Sequence, residues 1–165
     1  MSRIAAVLLL AAMLPSVVQA QEFTASVWGY GTFGVADLDG SLPFSGEVRL
    51  TVPLSNRFAF EPFVTAGRHR HRRLAGVEGF WGAQVRQRIE ALSRENVDAF
   101  ATYGAAGYYD SHSGDSSIPF GHFGFGLHLR LAPRIALRPE VQLLTFYVVP
   151  VGARYSGGLS VDLKR

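Results

Sequence analysis

The sequence predicts an all-β chain, an eight-stranded antiparallel up-and-down transmembrane β-barrel, on three observations. Apolar and polar residues alternate at every second position over long stretches. Short turns fall on one side of the predicted hairpins and longer polar loops on the other. The chain also opens with an export signal. The alternation is clearest from Phe120 to Leu131, where Phe123, Phe125, Leu127, Leu129 and Leu131 share one face and His122, Gly124, Gly126, His128 and Arg130 the other. A period of two marks a β-strand with unlike faces. The run exceeds the usual strand of about 5–6 residues and matches the roughly 9–11 that a tilted transmembrane strand needs.

The signal comprises a positive start at Met1–Arg3, an apolar run from Ile4 to Leu14, a break at Pro15-Ser16, and Val18-Gln19-Ala20 as a small-residue cleavage pattern. The apolar run falls short of the roughly 20 residues that a spanning helix requires, so residues 1–20 read as a cleaved secretory signal and 21–165 as one barrel domain. With no cysteine, neither a lipoprotein anchor nor a disulfide is available. The formal charge of +3 is too mild for a nucleic-acid binder.

Eight strands follow in order. The first, about Glu22 to Val35, alternates Thr24, Ser26, Trp28, Tyr30 and Thr32 with smaller or apolar residues. Phe44 to Val52 sets Val48 and Leu50 against Glu47 and Arg49. Phe58 to Gly67 sets Phe58, Phe60 and Val64 against Glu61, Phe63 and Thr65. The fourth, about Gly76 to Ile89, sets Trp81, Ala83 and Val85 against Glu78, Gln84, Arg86 and Arg88. Val97 to Tyr109 is rich in Ala and Gly on both faces, and Asp98 and Thr102 are assigned inward. After Phe120 to Leu131, Ile135 to Tyr147 sets Leu137, Val141 and Leu143 against Arg138, Glu140 and Gln142. The last strand starts near Val151 and sets Ala153, Tyr155 and Leu159 against Arg154, Ser160 and Asp162. Residues 89–96 are the one segment with room for a helical turn.

With both termini on one side, that side carries the connections 53–57, 90–96 and 132–134. The other carries 36–43, 68–75, 110–119 and 148–150. Short turns on one side and longer loops on the other is the outer-membrane arrangement. Signal, strand count, dyad pattern and hairpins such as Glu47-Val48-Arg49-Leu50-Thr51-Val52-Pro53-Leu54-Ser55 together resemble the small outer-membrane barrels of the OmpX and OmpA barrel-domain type, over residues 21–165. The resemblance implies a monomeric barrel in the outer membrane of a Gram-negative type envelope, with a structural or surface-interaction role; because the chain stops with the barrel, no OmpA-like periplasmic domain is expected. One departure is the end Val161-Asp162-Leu163-Lys164-Arg165, where such barrels usually finish on an aromatic residue.

Alternation alone fits either a membrane barrel or a soluble periplasmic lipocalin-like barrel that carries an apolar ligand. Strand length, loop asymmetry and the absence of a lipocalin Gly-X-Trp start (here Val27-Trp28-Gly29) favour lipid outside. The polar face then becomes an interior network of Glu47, Arg49, Glu61, Glu78, Arg86, Arg88, Arg130, Arg138, Glu140, Arg154 and Asp162. Eight strands enclose just enough room for side chains, so this is not a wide porin. Hairpins centred on Ser55 and near Pro150 would set Arg49 opposite Glu61 and Arg138 opposite Asp162.

Outside the barrel wall, Arg68, His69, Arg70, His71, Arg72 and Arg73 form a basic loop run. It is a candidate anion-binding loop for lipopolysaccharide phosphates, set against the plainer reading of a solvated run that anchors the barrel at headgroups. Two histidines without a nearby carboxylate or thiol make a poor metal site, and no metal or cofactor is expected. Asp110-Ser111-His112-Ser113-Gly114-Asp115 holds hydrolase residue types, raising a lipid-modifying hydrolase as a further alternative. Adjacent residues on a Gly- and Ser-rich loop rarely reach nucleophile–base geometry, so no catalytic residue is assigned. Trp28, Trp81, Tyr103, Tyr109, Tyr147 and Tyr155 read as membrane-interface or packing aromatics.

Overall fold

The computed structural model describes residues 22–32, 45–68, 77–110, 116–146 and 149–163. Eight strands form: β1 (Glu22–Thr32), β2 (Ser45–Pro53), β3 (Phe58–Arg68), β4 (Val77–Arg88), β5 (Val97–Asp110), β6 (Ser116–Ala132), β7 (Ile135–Phe146) and β8 (Val149–Asp162). Each pairs antiparallel with its sequence neighbour, and β1 pairs with β8 to close the barrel. Closure follows from the environment: inside hydrocarbon every backbone N–H and C=O needs a partner, and a closed sheet leaves no edge.

The period-two pattern becomes an inside-out distribution of burial. Val27, Val48, Val64, Phe123, Phe125, Val141, Tyr155 and Leu159 are exposed on the outer wall. Thr24, Glu47, Arg49, Glu61, Thr65, Gln84, Thr102, Arg138, Gln142 and Arg154 are buried in the lumen. A lipocalin-like carrier needs the opposite arrangement, because its ligand cavity must be apolar. The lumen has a second layer away from the turn end, where Phe63, Phe80 and Ala106 pack together with Tyr108 and Phe120. Phe80 meets Phe120 edge-on at 5.1 Å between ring centroids. An ionic layer thus lies towards the turns and an aromatic layer towards the other end.

Several boundaries differ from the sequence expectation. β6 begins at Ser116 rather than Phe120, because Ser116 pairs with Tyr109 across a register shift after Gly107. β8 begins at Val149, two residues early, against Phe146. The segment 90–96 holds one 3-10 turn at Glu90–Leu92, and Arg57 clamps it to the β2–β3 turn through a bidentate pair to Glu90 at 2.7 and 2.9 Å. The signal segment 1–20, the stretch 33–44, the loop residues 69–76 and 111–115, and Tyr147 and Val148 lie outside the described residues.

Two glycines show what the wall demands. Gly126 faces the lumen, and a Cβ there would strike the Phe100 ring and approach the Pro139 carbonyl oxygen to 2.8 Å. Its bare Cα makes room for the ring on which Arg138 lies, 4.6 Å from the centroid. Gly157 faces outward, and a Cβ there would meet nothing within 4 Å. Gly126→Val is therefore expected to destabilise the refolded barrel by about 1–3 kcal/mol through overpacking. Gly157→Ala should be neutral or stabilise by up to about 1 kcal/mol, through a less flexible unfolded chain. Urea titration in detergent measures both, and equal effects at the two sites would contradict this packing.

Candidate functional site

The lumen gathers four arginines, Arg49, Arg86, Arg138 and Arg154, with four glutamates, Glu22, Glu47, Glu61 and Glu140. Alternation brings them there: each sits on the inward parity of its strand, supplied by β1, β2, β3, β4, β7 and β8. Burying one charge costs several kcal/mol, so an interior like this stands only when signs balance and geometry is good.

Glu61 is the hub. Arg138 grips it with two hydrogen bonds, Nη1 to Oε1 at 2.9 Å and Nη2 to Oε2 at 2.7 Å. Thr51 Oγ1 donates to it at 3.0 Å, Gln84 Nε2 at 2.8 Å and Arg49 Nη1 at 3.3 Å. Arg49 also donates to Glu47 from Nε at 3.0 Å and to Glu140 from Nη1 at 2.8 Å. Glu140 further accepts from Thr102 at 3.0 Å and Gln142 at 2.5 Å. The forked guanidinium suits this role, because one planar group serves several carboxylates at once.

Arg154 is held differently. Its Nε donates to Gln142 Oε1 at 2.7 Å, while Nη1 meets Glu47 as an ion pair at 3.5 Å rather than as a hydrogen bond. Aromatic faces supply the rest: the guanidinium carbon lies 4.2 Å from the Trp28 ring centroid and 5.1 Å from that of Phe63. A desolvated cation over an aromatic ring gains about 2 kcal/mol. Trp28, one of the aromatics assigned to the membrane interface or to packing, is fully buried here as a lumen platform. His122 Nε2 lies 3.0 Å from Gln84 Oε1. The Gln84 amide nitrogen already serves Glu61, so its oxygen faces the ring and Nε2 is assigned as the protonated nitrogen.

The structure sorts the interior residues expected from the sequence. Glu47, Arg49, Glu61, Arg138, Glu140 and Arg154 are all at most 3% exposed, and Arg86 joins them at the mouth through Glu22 at 3.4 Å and Glu61 at 3.3 Å. Arg88 does not enter the network. It is half exposed at the rim and pairs with Asp98 at 2.5 Å. Arg130 and Asp162 are exposed at the turn end, because each lies within two residues of its strand's end. The side chains of Arg68 and Glu78 lie outside the described part of the chain, as do residues 69–73. Sequence reasoning left Glu22 out of the interior and placed Gln84 and Gln142 on the inward face without counting them in the network, although both hydrogen-bond its carboxylates.

Both expected cross-strand pairs are corrected. Arg49 sits opposite Phe63, not Glu61, and Arg138 sits opposite Gly158, not Asp162. The shifts are even-numbered, so every side chain keeps its face while its partner changes. Arg49 still reaches Glu61 diagonally, whereas Arg138 binds Glu61 across the lumen. Asp162 instead donates its backbone N–H to the Arg134 carbonyl. Among the described residues no three His, Asp or Glu side chains are grouped to hold a metal ion.

The sequence matches no protein-family profile and no curated protein. Solved structures do share the fold. Neisserial surface protein A superposes with a TM-score of 0.61 at 13% identity, over 86% of this chain and 96% of that one. The N-terminal β-barrel domain of Pseudomonas aeruginosa OprF gives 0.60 at 9% identity, over 87% and 98%. A de novo designed transmembrane β-barrel gives 0.55 at 12% identity, over 88% and 96%. The chain therefore has the fold of the small eight-stranded transmembrane barrels found in outer membranes. A protein designed from first principles shares that fold, so the fold by itself carries no activity.

The network makes a quantitative demand. Arg49→Met deprives Glu47, Glu61 and Glu140 of a shared cation and is expected to cost about 3–5 kcal/mol. The exposed Arg57–Glu90 pair should lose less than about 1 kcal/mol in Arg57→Ala. Adding Glu140→Gln to Arg49→Met should recover part of the first loss, because one uncompensated buried charge disappears. Urea titrations of the refolded proteins test the set, and a double variant no more stable than Arg49→Met would contradict the Arg49–Glu140 contact.

Proposed function

We propose that the protein is an outer-membrane β-barrel with a structural or surface-interaction role, and neither a wide porin nor an enzyme. The observation that carries this reading is the filled lumen: an ion-paired layer and an aromatic layer occupy the space that a porin leaves to water. The apolar outer wall supports placement in a lipid bilayer, and the fold shared with outer-membrane barrels favours that membrane. The expected signal at residues 1–20 supports export to it. On this reading the barrel is a monomer whose immediate partner is outer-membrane lipid. The basic run from Arg68 to Arg73 is its candidate contact with lipopolysaccharide phosphates.

Cell fractionation with gel migration of boiled and unboiled samples tests the proposal. Recovery in the outer membrane, with a compact band that shifts on heating, is the expected result. Recovery as a soluble periplasmic protein without a shift would overturn it. In planar bilayers the reconstituted barrel should conduct far less than a 16-stranded porin. Steady porin-sized openings would be incompatible with a plugged lumen.

A further inference from the structure

The turn end of the lumen holds a feature that the ionic layer does not require. A cleft of about 180 Å³ opens there, and its charged lining consists of Glu22, Arg86, His128, Arg130, Arg134 and Asp162. Its inner wall is already neutralised. Glu22 has Arg86 at 3.4 Å, His128 at 3.5 Å and Arg138 at 3.9 Å. The outer wall is not, because the side chains of Arg130 and Arg134 have no hydrogen-bond or ion-pair partner among the described residues. Arginine therefore outnumbers carboxylate at the rim, where Arg130 and Arg134 share the lining with Asp162, above a layer in which charges balance.

Backbone geometry sets these two arginines on one cleft. Arg130 belongs to the inward row of β6 with His122, Gly124, Gly126 and His128, so it leans over the lumen rather than into lipid. The β6–β7 register then shifts between Arg130 and Ala132, an irregularity of the kind that re-aims side chains. Pro133 stiffens the two-residue turn, and the Asp162 N–H bonds the Arg134 carbonyl at 2.9 Å, tying that turn to β8. Two guanidiniums on one cleft, Arg130 from β6 and Arg134 from the braced turn, with a histidine behind them, suit the several oxygens of one tetrahedral oxyanion. The cleft, at about 180 Å³, has room for a phosphate group.

We propose that the turn-end mouth is a binding site for a phosphate-class oxyanion, held by Arg130 and Arg134 with Arg86 and His128 behind them. The oxyanion comes either from the aqueous phase or from a phospholipid headgroup at the same rim, where Leu131 and Ile135 are exposed on the outer wall. The test uses the protein in phosphate-free maltoside micelles, with the NMR signals of the Arg130 and Arg134 guanidiniums and the His128 ring as readout. One arm titrates inorganic phosphate against chloride at matched ionic strength, and the other dopes the micelles with phosphatidylglycerol. A saturable shift with phosphate supports the site and assigns an aqueous source, and one with phosphatidylglycerol alone supports it and assigns the lipid. The double variant Arg130→Gln/Arg134→Gln should weaken binding by about tenfold or more, since it removes both charge-assisted donors. Both arginines are exposed, so the variant should retain its heat-dependent gel shift, which verifies its fold. Shifts that chloride reproduces, shifts that survive the double variant, or no shift in either arm would overturn the site.

Discussion

Charge neutrality in a lumen packed with side chains governs this barrel. Eight strands enclose a lumen that side chains fill, and here many of those side chains are ionised. Each ion gives up hydration on entering, so each needs an opposite charge close by. Balanced arginines and glutamates meet that condition, with Glu61 and Arg49 each serving several partners. Amides and hydroxyls from Thr51, Gln84, Thr102 and Gln142 donate further hydrogen bonds to Glu61 and Glu140.

Other features follow from that constraint. Inward glycines are required where a platform ring needs space, as at Gly126 beneath Phe100. Trp28 and Phe63 flank Arg154 because a guanidinium short of hydrogen bonds retains favourable aromatic faces. The surplus cations Arg130 and Arg134 lie exposed at the turn end. Farther along, the lumen changes to aromatic packing, so the ionic layer is confined to one part of the barrel.

Closing the lumen also shapes what function is available. A barrel with a filled core acts through its ends and its wall, and the cleft at the turn-end mouth lies accordingly. The outer wall meets the requirement of lipid with exposed Val, Leu and Phe, a requirement of location rather than of chemistry. That separation explains how barrels at 9–13% identity share the architecture while the sequence matches no family profile.

The strands and their faces were legible in the sequence, because pleating is local: successive side chains point to opposite sides whatever lies across the barrel. Parity alone assigned Glu47, Arg49, Glu61, Arg138, Glu140 and Arg154 to one face, and even the sparse β5 pattern placed Thr102 inward. Register was not legible in this way, since shifts by an even number of residues preserve every face and change every partner. Only closure of the sheet brought Arg49 to Glu140, 91 positions away, and Arg138 to Glu61, 77 positions away. Tertiary structure likewise separated buried ions from rim ions, Arg138 from Arg130 and Glu140 from Asp162, because depth along the axis depends on strand stagger. The sequence by itself determined which residues face inward; closure and stagger decided which of them meet, and which are left at the mouth with charge to share.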